Sequence, residues 1–225
     1  MTTVLPTRAN AAPPSPERHP SWAQVVARLC AAVVSAGVVL VLHQVFVASG
    51  QGQHWDESGA ATAASDQGTL ARVGAFFLED VTVPVLLGGL AVAVLVALVR
   101  RRVSAAIGAV VLMAAANLTT QVLKHVLLDR PDLGVTYDLA NSFPSGHTTA
   151  AATVAAVLVL VTAPRWRPLV LLGGGAYAVL CGWATLTNGW HRPSDVLAAF
   201  AVVAAWYFLV RAALLWISPE PARRR

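Results

Sequence analysis

Six runs of apolar residues dominate this chain, each close to the roughly 20 residues that carry an α-helix across a bilayer core. They extend approximately from Val25 to Val47, Val81 to Val99, Val103 to Leu123, Ser145 to Thr162, Leu169 to Thr187 and Val196 to Trp216. In lipid every backbone N–H and C=O must find its partner inside the segment, so runs of this length become helices. The expected fold is all-α: a polytopic membrane protein with six transmembrane helices in a bundle. Composition agrees, because 56% of the residues are hydrophobic and only 12% charged, too few charges to clothe a soluble domain.

The organisation follows from what lies between the runs. Residues 1–20 carry Pro6, Pro13, Pro14, Pro16 and Pro20 among Ala, Ser and Thr, the composition of a disordered tail. That tail is too polar and too long ahead of the first apolar run for a good secretory signal. Residues 21–217 form the six-helix membrane domain, and residues 218–225 a basic C-terminal tail. The polar stretch from Ala48 to Asp80 reads as a water-facing loop with a short amphipathic piece near Leu70 to Leu78. Arginines retained on the inner side set the orientation. Arg8, Arg18 and Arg28 precede or open the first run, Arg100 to Arg102 follow the second, Arg165 and Arg167 the fourth, and Arg223 to Arg225 end the chain. Both termini are therefore expected to be cytoplasmic. The same arrangement explains the basic balance without nucleic acid, since no aromatic-interleaved basic surface accompanies these arginines. Cys30 and Cys181 lie within apolar runs and read as small hydrophobes.

This topology gathers three polar clusters on the outer face. The single lysine, Lys124, ends the third run, with Asn117 and Gln121 on its helical stripe and Arg130-Pro131 just beyond. A lysine point charge and an arginine fork suit a phosphate, although taken alone such a pair more often snorkels to the headgroups. Pro144-Ser145-Gly146-His147 opens the fourth run. Proline and serine suit a helix start, Gly146 permits close backbone approach, and the first N–H groups attract anions. His147 is then either placed at the anion or merely interfacial. His191 and Asp195, four apart across Pro193-Ser194, suit a carboxylate-oriented imidazole acting as nucleophile or base. Helix capping by Ser194 or Asp195 is the structural alternative.

In order and content, Lys124 with Arg130-Pro131, then Pro144 to His147, then His191 to Asp195, the chain resembles the type 2 phosphatidic acid phosphatase family of integral-membrane lipid phosphatases. The resemblance spans about Val81 to Trp216. It implies that His191 attacks phosphorus to form a phosphohistidine, that Asp195 orients it, and that His147 protonates the leaving group. Lys124, Arg130, Ser145 and Gly146 would hold the phosphate oxygens, with neither metal nor other cofactor. The implied substrate is a lipid phosphate or pyrophosphate, polyprenyl or glycerolipid, presented by the bilayer itself. Two departures from the family pattern are present. His125 to Asp129 intervene between Lys124 and Arg130, one residue fewer than the pattern, and Ala184-Thr185 stand where it has Ser-Arg. Arg192, beside His191, is the candidate replacement for the arginine absent at position 185.

Other classes fit parts of the pattern. A non-catalytic protein that binds lipid phosphate or serves as a scaffold would account for Thr185. A lipid transporter would be expected to show internal repeats, and none is visible. Haloperoxidase chemistry would need a fuller cation set around the anion. His43 and His125 read as interfacial residues, and Trp55, Trp183, Trp190 and Trp216 as belt or packing residues.

Overall fold

The computed structural model describes residues 21–65, 68, 82–135 and 140–217. The expected tails at residues 1–20 and 218–225 and the amphipathic piece near Leu70 to Leu78 lie outside the described residues. Among the described residues there are seven helices and no strand: α1 (Trp22–Leu42), α2 (Gly50–Ala64), α3 (Thr82–Val99), α4 (Val103–Val122), α5 (Gly146–Val161), α6 (Arg167–Thr187) and α7 (Pro193–Ile217). Wider π-helical turns, His43–Val47 and Leu123–Leu127, continue α1 and α4. Each of the six apolar runs is helical across the core of its described residues.

Four of these helices are long and apolar enough to cross a membrane: Trp22–Val47, Val103–Leu127, Arg167–Thr187 and Pro193–Ile217. The apolar helix Gly146–Val161 is shorter, at 16 residues, and α3 has 18. For α5 the reason is its position, because twelve of its sixteen residues are buried and it packs against α3, α4, α6 and α7. A helix enclosed by other helices meets no lipid, and irregular backbone at its ends is tolerated where protein surrounds it. Its Ala, Thr and Val side chains allow close neighbours. On α6, a Cβ at Gly174 would lie 2.8 Å from the Ala155 Cβ, and one at Gly182 would lie 2.7 Å from Val196 Cγ1. Large apolar side chains of α1, including Val26, Val33, Val34 and Val41, are exposed, as lipid-facing residues would be. A multi-pass membrane protein accounts for that surface.

The largest difference from expectation is α2. Residues 48–80 read as a loop, yet Gly50–Ala64 is a helix capped by Ser49, whose Oγ accepts from the Gly52 N–H at 3.1 Å. Small and polar residues hide the apolar periodicity by which a helix is recognised. What holds α2 is tertiary docking. Gln53 Nε2 donates to the carbonyls of Val47 at 2.8 Å and Pro131 at 3.0 Å, and Gly52 sits against the Val45 backbone where no Cβ would fit.

The two ends of the bundle differ in chemistry. At one end Trp22 packs edge-on against Trp216 with ring centroids 4.8 Å apart, so α1 and α7 run antiparallel. Arg100 Nη1 donates to the Val161 carbonyl at 3.3 Å and Arg167 Nε to that of Thr162 at 3.2 Å, satisfying open carbonyls where α5 ends. At the other end α2 covers the start of α7, and the polar clusters gather there.

Candidate active site

His191 and Asp195 are joined by the local fold of the α6–α7 corner. Pro193 opens α7, and the Asp195 carboxylate reaches back to accept from the Arg192 N–H at 2.9 Å, a helix-capping contact. The same oxygen, Oδ2, lies 3.1 Å from His191 Nδ1 and accepts from Ser142 Oγ at 2.6 Å. Capping and orientation, alternatives in the sequence, are one arrangement. A carboxylate oxygen only accepts, so Nδ1 carries the proton and Nε2 of neutral His191 keeps its lone pair. Asp195 is fully buried and His191 nearly so.

The Pro144 to His147 segment abuts this corner, with the Ser145 N–H donating to the Asp195 carbonyl at 3.0 Å. Ser145 is the N-cap of α5: its Oγ accepts from the Thr148 N–H at 3.3 Å and donates to Thr148 Oγ1 at 2.9 Å. Its hydroxyl proton is engaged by Thr148 in this arrangement. First-turn N–H groups, those of Gly146 and His147, have no partner within a helix and point from its positive end. The His147 ring packs on Trp190 at 5.4 Å and lies within electrostatic reach of His191 and Lys124. Lys124, half-buried in the π-helical turn after α4, lies within similar reach of Asp195. Asn141 fixes this turn against the α5 entry by donating to the Lys124 carbonyl at 2.9 Å and to that of Leu128.

Arg130 and Arg192 complete the cluster, and they meet on an unexpected residue. Glu57 Oε1 on α2 accepts from Arg130 Nη2 at 2.9 Å and from Arg192 Nε. Arg192 Nη1 also donates to Ser142 Oγ at 2.9 Å. Arg130 Nε and Nη1 are buried without a hydrogen-bond partner, an arrangement that costs stability unless a ligand or water completes it. Burial, with Arg192 nearby, holds the Arg130 guanidinium below its ordinary pKa. Next to Glu57, Asp56 accepts from the Ser194 N–H at 2.9 Å and from Ser194 Oγ at 2.6 Å. Burial outweighs those bonds and pushes the Asp56 carboxyl up to about 6.

The structure thus brings Lys124, Arg130, Ser145, Gly146, His147, His191, Arg192 and Asp195 to one end of the bundle. Thr185 stands beside them without facing an anion: its Oγ1 donates to the Gly182 carbonyl at 2.7 Å, and its own carbonyl accepts from Trp190 N–H at 3.0 Å. The stripe from Asn117 does not continue into the cluster, because Asn117 Nδ2 turns back to the Met113 carbonyl at 2.9 Å. His43 is buried rather than interfacial, its Nε2 lying 3.0 Å from the Asp129 carbonyl. Asp56, Glu57, Ser142 and Asn141 were not legible as site residues. Among the described residues, no group of three or more His, Cys, Asp or Glu is placed to hold a metal ion.

A model of the PAP2 superfamily matches residues 105–218, which include Lys124, Arg130, Ser142, Ser145 to His147 and His191 to Asp195. The chain belongs to the PAP2 superfamily. The PAP2 match begins within α4 and ends just past α7, so the α2 cap lies outside it. The fold is similar to that of a transmembrane PAP2-type phosphatidylglycerolphosphate phosphatase from Bacillus subtilis, with a TM-score of 0.60 and 23% sequence identity. That similarity covers 87% of this chain and 99% of the other.

Proposed function

We propose that this PAP2 protein is a lipid phosphatase of the cell membrane that hydrolyses a phosphomonoester or pyrophosphate of a polyprenyl or glycerolipid through a phosphohistidine. One observation carries the reading: His191 is fixed through Nδ1 by a buried carboxylate, at 3.1 Å, in the cluster that holds the unpaired buried N–H groups of Arg130. In the first step Nε2 of His191 attacks phosphorus, and the bond from phosphorus to the leaving oxygen breaks. His147 delivers a proton to that oxygen, and Asp195 stabilises the positive charge that grows on His191. In the second step water attacks phosphorus, His147 takes its proton, the P–N bond breaks and inorganic phosphate leaves. Lys124, Arg130, Arg192 and the amides of Gly146 and His147 hold the phosphate oxygens, supplying from the protein the positive charge for a metal-independent reaction. Arg192 serves in place of the arginine absent at position 185.

Residues 21–217 constitute the catalytic domain in this reading, with residues 1–20 and 218–225 as tails. The arginine-rich end of the bundle faces the cytoplasm and the site faces the outer leaflet. An acyl or polyprenyl chain then stays in the bilayer while its headgroup enters between the helix ends. The test is phosphate release by the purified chain in detergent, with EDTA, across polyprenyl and glycerolipid phosphates, beside His191→Ala. Release that disappears in the variant supports the reaction. Release unaffected by the substitution removes His191 from the mechanism, and no release from any lipid favours the binding or scaffold reading.

A further inference from the structure

Two buried guanidinium groups converge on one carboxylate oxygen at the proposed phosphate site. The side chains of Arg130 and Arg192 are 1% and 8% exposed, whereas that of Glu57 is 29% exposed. Two neighbouring buried cations repel and require a counterion, and Glu57, the carboxylate bonded to both, is the member of the trio nearest to water. A carboxylate that leaves for solvent regains hydration, whereas a buried guanidinium would have to drag its helix end apart to do so. Glu57 is therefore the exchangeable partner.

We propose that Glu57 is the resident counterion of the anion site, occupying Arg130 and Arg192 until a phosphate group displaces it, and so setting the affinity of the site for phosphate-bearing ligands. This rests on the reading of that site as a phosphate site. One carboxylate oxygen accepting from two arginines occupies the position of a bridging phosphoryl oxygen. Arg130 keeps Nε and Nη1 unpaired, so an incoming phosphate can engage this arginine before Glu57 lets go. The neighbouring Asp56 is tied to Ser194 through both carboxylate oxygens, which keeps α2 docked while the Glu57 side chain moves.

Charge balance points the same way. The cations Lys124, Arg130 and Arg192 outnumber by one the carboxylates of Asp56 and Asp195, both of which act on Arg130. Glu57 balances that last charge, so the attraction becomes available only to a ligand that replaces its carboxylate.

Calorimetric binding of inorganic phosphate to the full chain in detergent tests this. Glu57→Gln removes the competing charge while keeping the side-chain length, and should bind phosphate roughly tenfold tighter than the native chain, the scale of one charge-assisted contact. Its thermal midpoint in chloride buffer should fall and should rise further with added phosphate than that of the native chain. Phosphate affinity that is unchanged or weaker overturns the proposal, as does absence of binding to both proteins. If Glu57→Gln does not fold, Glu57→Asp, with its charge retracted by one methylene, decides by the same criterion. Hydrolysis of lipid phosphate is followed separately. Tighter phosphate binding without lipid hydrolysis sustains the role of Glu57 and removes the reaction proposed above.

Discussion

Two carboxylates serve the same cluster in opposite ways. Asp195 reaches His191 within one helical turn, is fully buried, and has one oxygen shared by His191, Ser142 and the Arg192 amide. Glu57 reaches Arg130 across 73 positions and Arg192 across 135, and remains partly exposed. A group built into a helix start is fixed as soon as the helix forms. One delivered from a docked helix is held by tertiary contacts and can move. The α6–α7 corner should therefore govern turnover, and the α2 cap affinity and stability.

The sharpest way to break that division is His191→Ala. Loss of the nucleophile should reduce kcat by at least about a thousandfold, while binding of inorganic phosphate stays within a few-fold of the native value. Loss of phosphate binding together with turnover would mean that the corner also builds the anion site. Arg192→Ala probes the junction of the two regions, because this residue supplies its amide to Asp195 and its guanidinium to Glu57 and Ser142. Removing one preorganised donor to a transferring phosphoryl group should lower kcat/KM roughly a hundredfold. Activity preserved in that variant would show that Arg192 does not replace the arginine absent at position 185.

A smaller effect is expected at Ser142, whose hydroxyl donates to Asp195 and accepts from Arg192. Ser142→Ala removes one buried hydrogen bond on each side, and steady-state kinetics should show a loss of about tenfold in kcat. KM should change little if Ser142 acts on the orientation of Asp195. A shift confined to KM would instead place Ser142 with the anion-binding side.

These residues also show how far the sequence could be read. The six apolar runs announced their helices because periodic burial in lipid or protein needs length and apolarity alone. His191 and Asp195 were legible together because their contact is helical in spacing, and Lys124, Arg130 and Pro144 to His147 stood out as polar groups at apolar helix ends. Glu57 and Asp56 were not, since nothing local distinguishes a solvated acidic loop from a helix that packs its acids onto Arg130, Arg192 and Ser194. Position 185 shows the converse. The sequence marked a missing arginine, while the fold turns Thr185 back on Gly182 and Arg192 to the neighbourhood of Arg130.

The mildest test concerns the attachment of α2 rather than the chemistry. Asp56 holds both the N–H and the hydroxyl of Ser194, yet burial raises its carboxyl from the ordinary 3.8 to about 6. The folded chain thus retains a proton through a range in which the unfolded chain has lost it. The stabilisation from this retained proton is complete below about pH 4 and disappears as pH rises through about 6, a linkage worth roughly 3 kcal/mol at most. Asp56→Asn mimics the neutral form and still offers an oxygen to the Ser194 N–H. Between pH 4 and 6.5 the thermal midpoint of the native chain should therefore fall relative to that of the Asn variant, with turnover by the Asn variant nearly unchanged at neutral pH. A constant difference across that range would mean that Asp56 is ionised throughout, and that its bonds to Ser194 compensate its burial. A pH-dependent gap would show instead that the α2 cap docks against the start of α7 at an electrostatic cost set by the burial of Asp56.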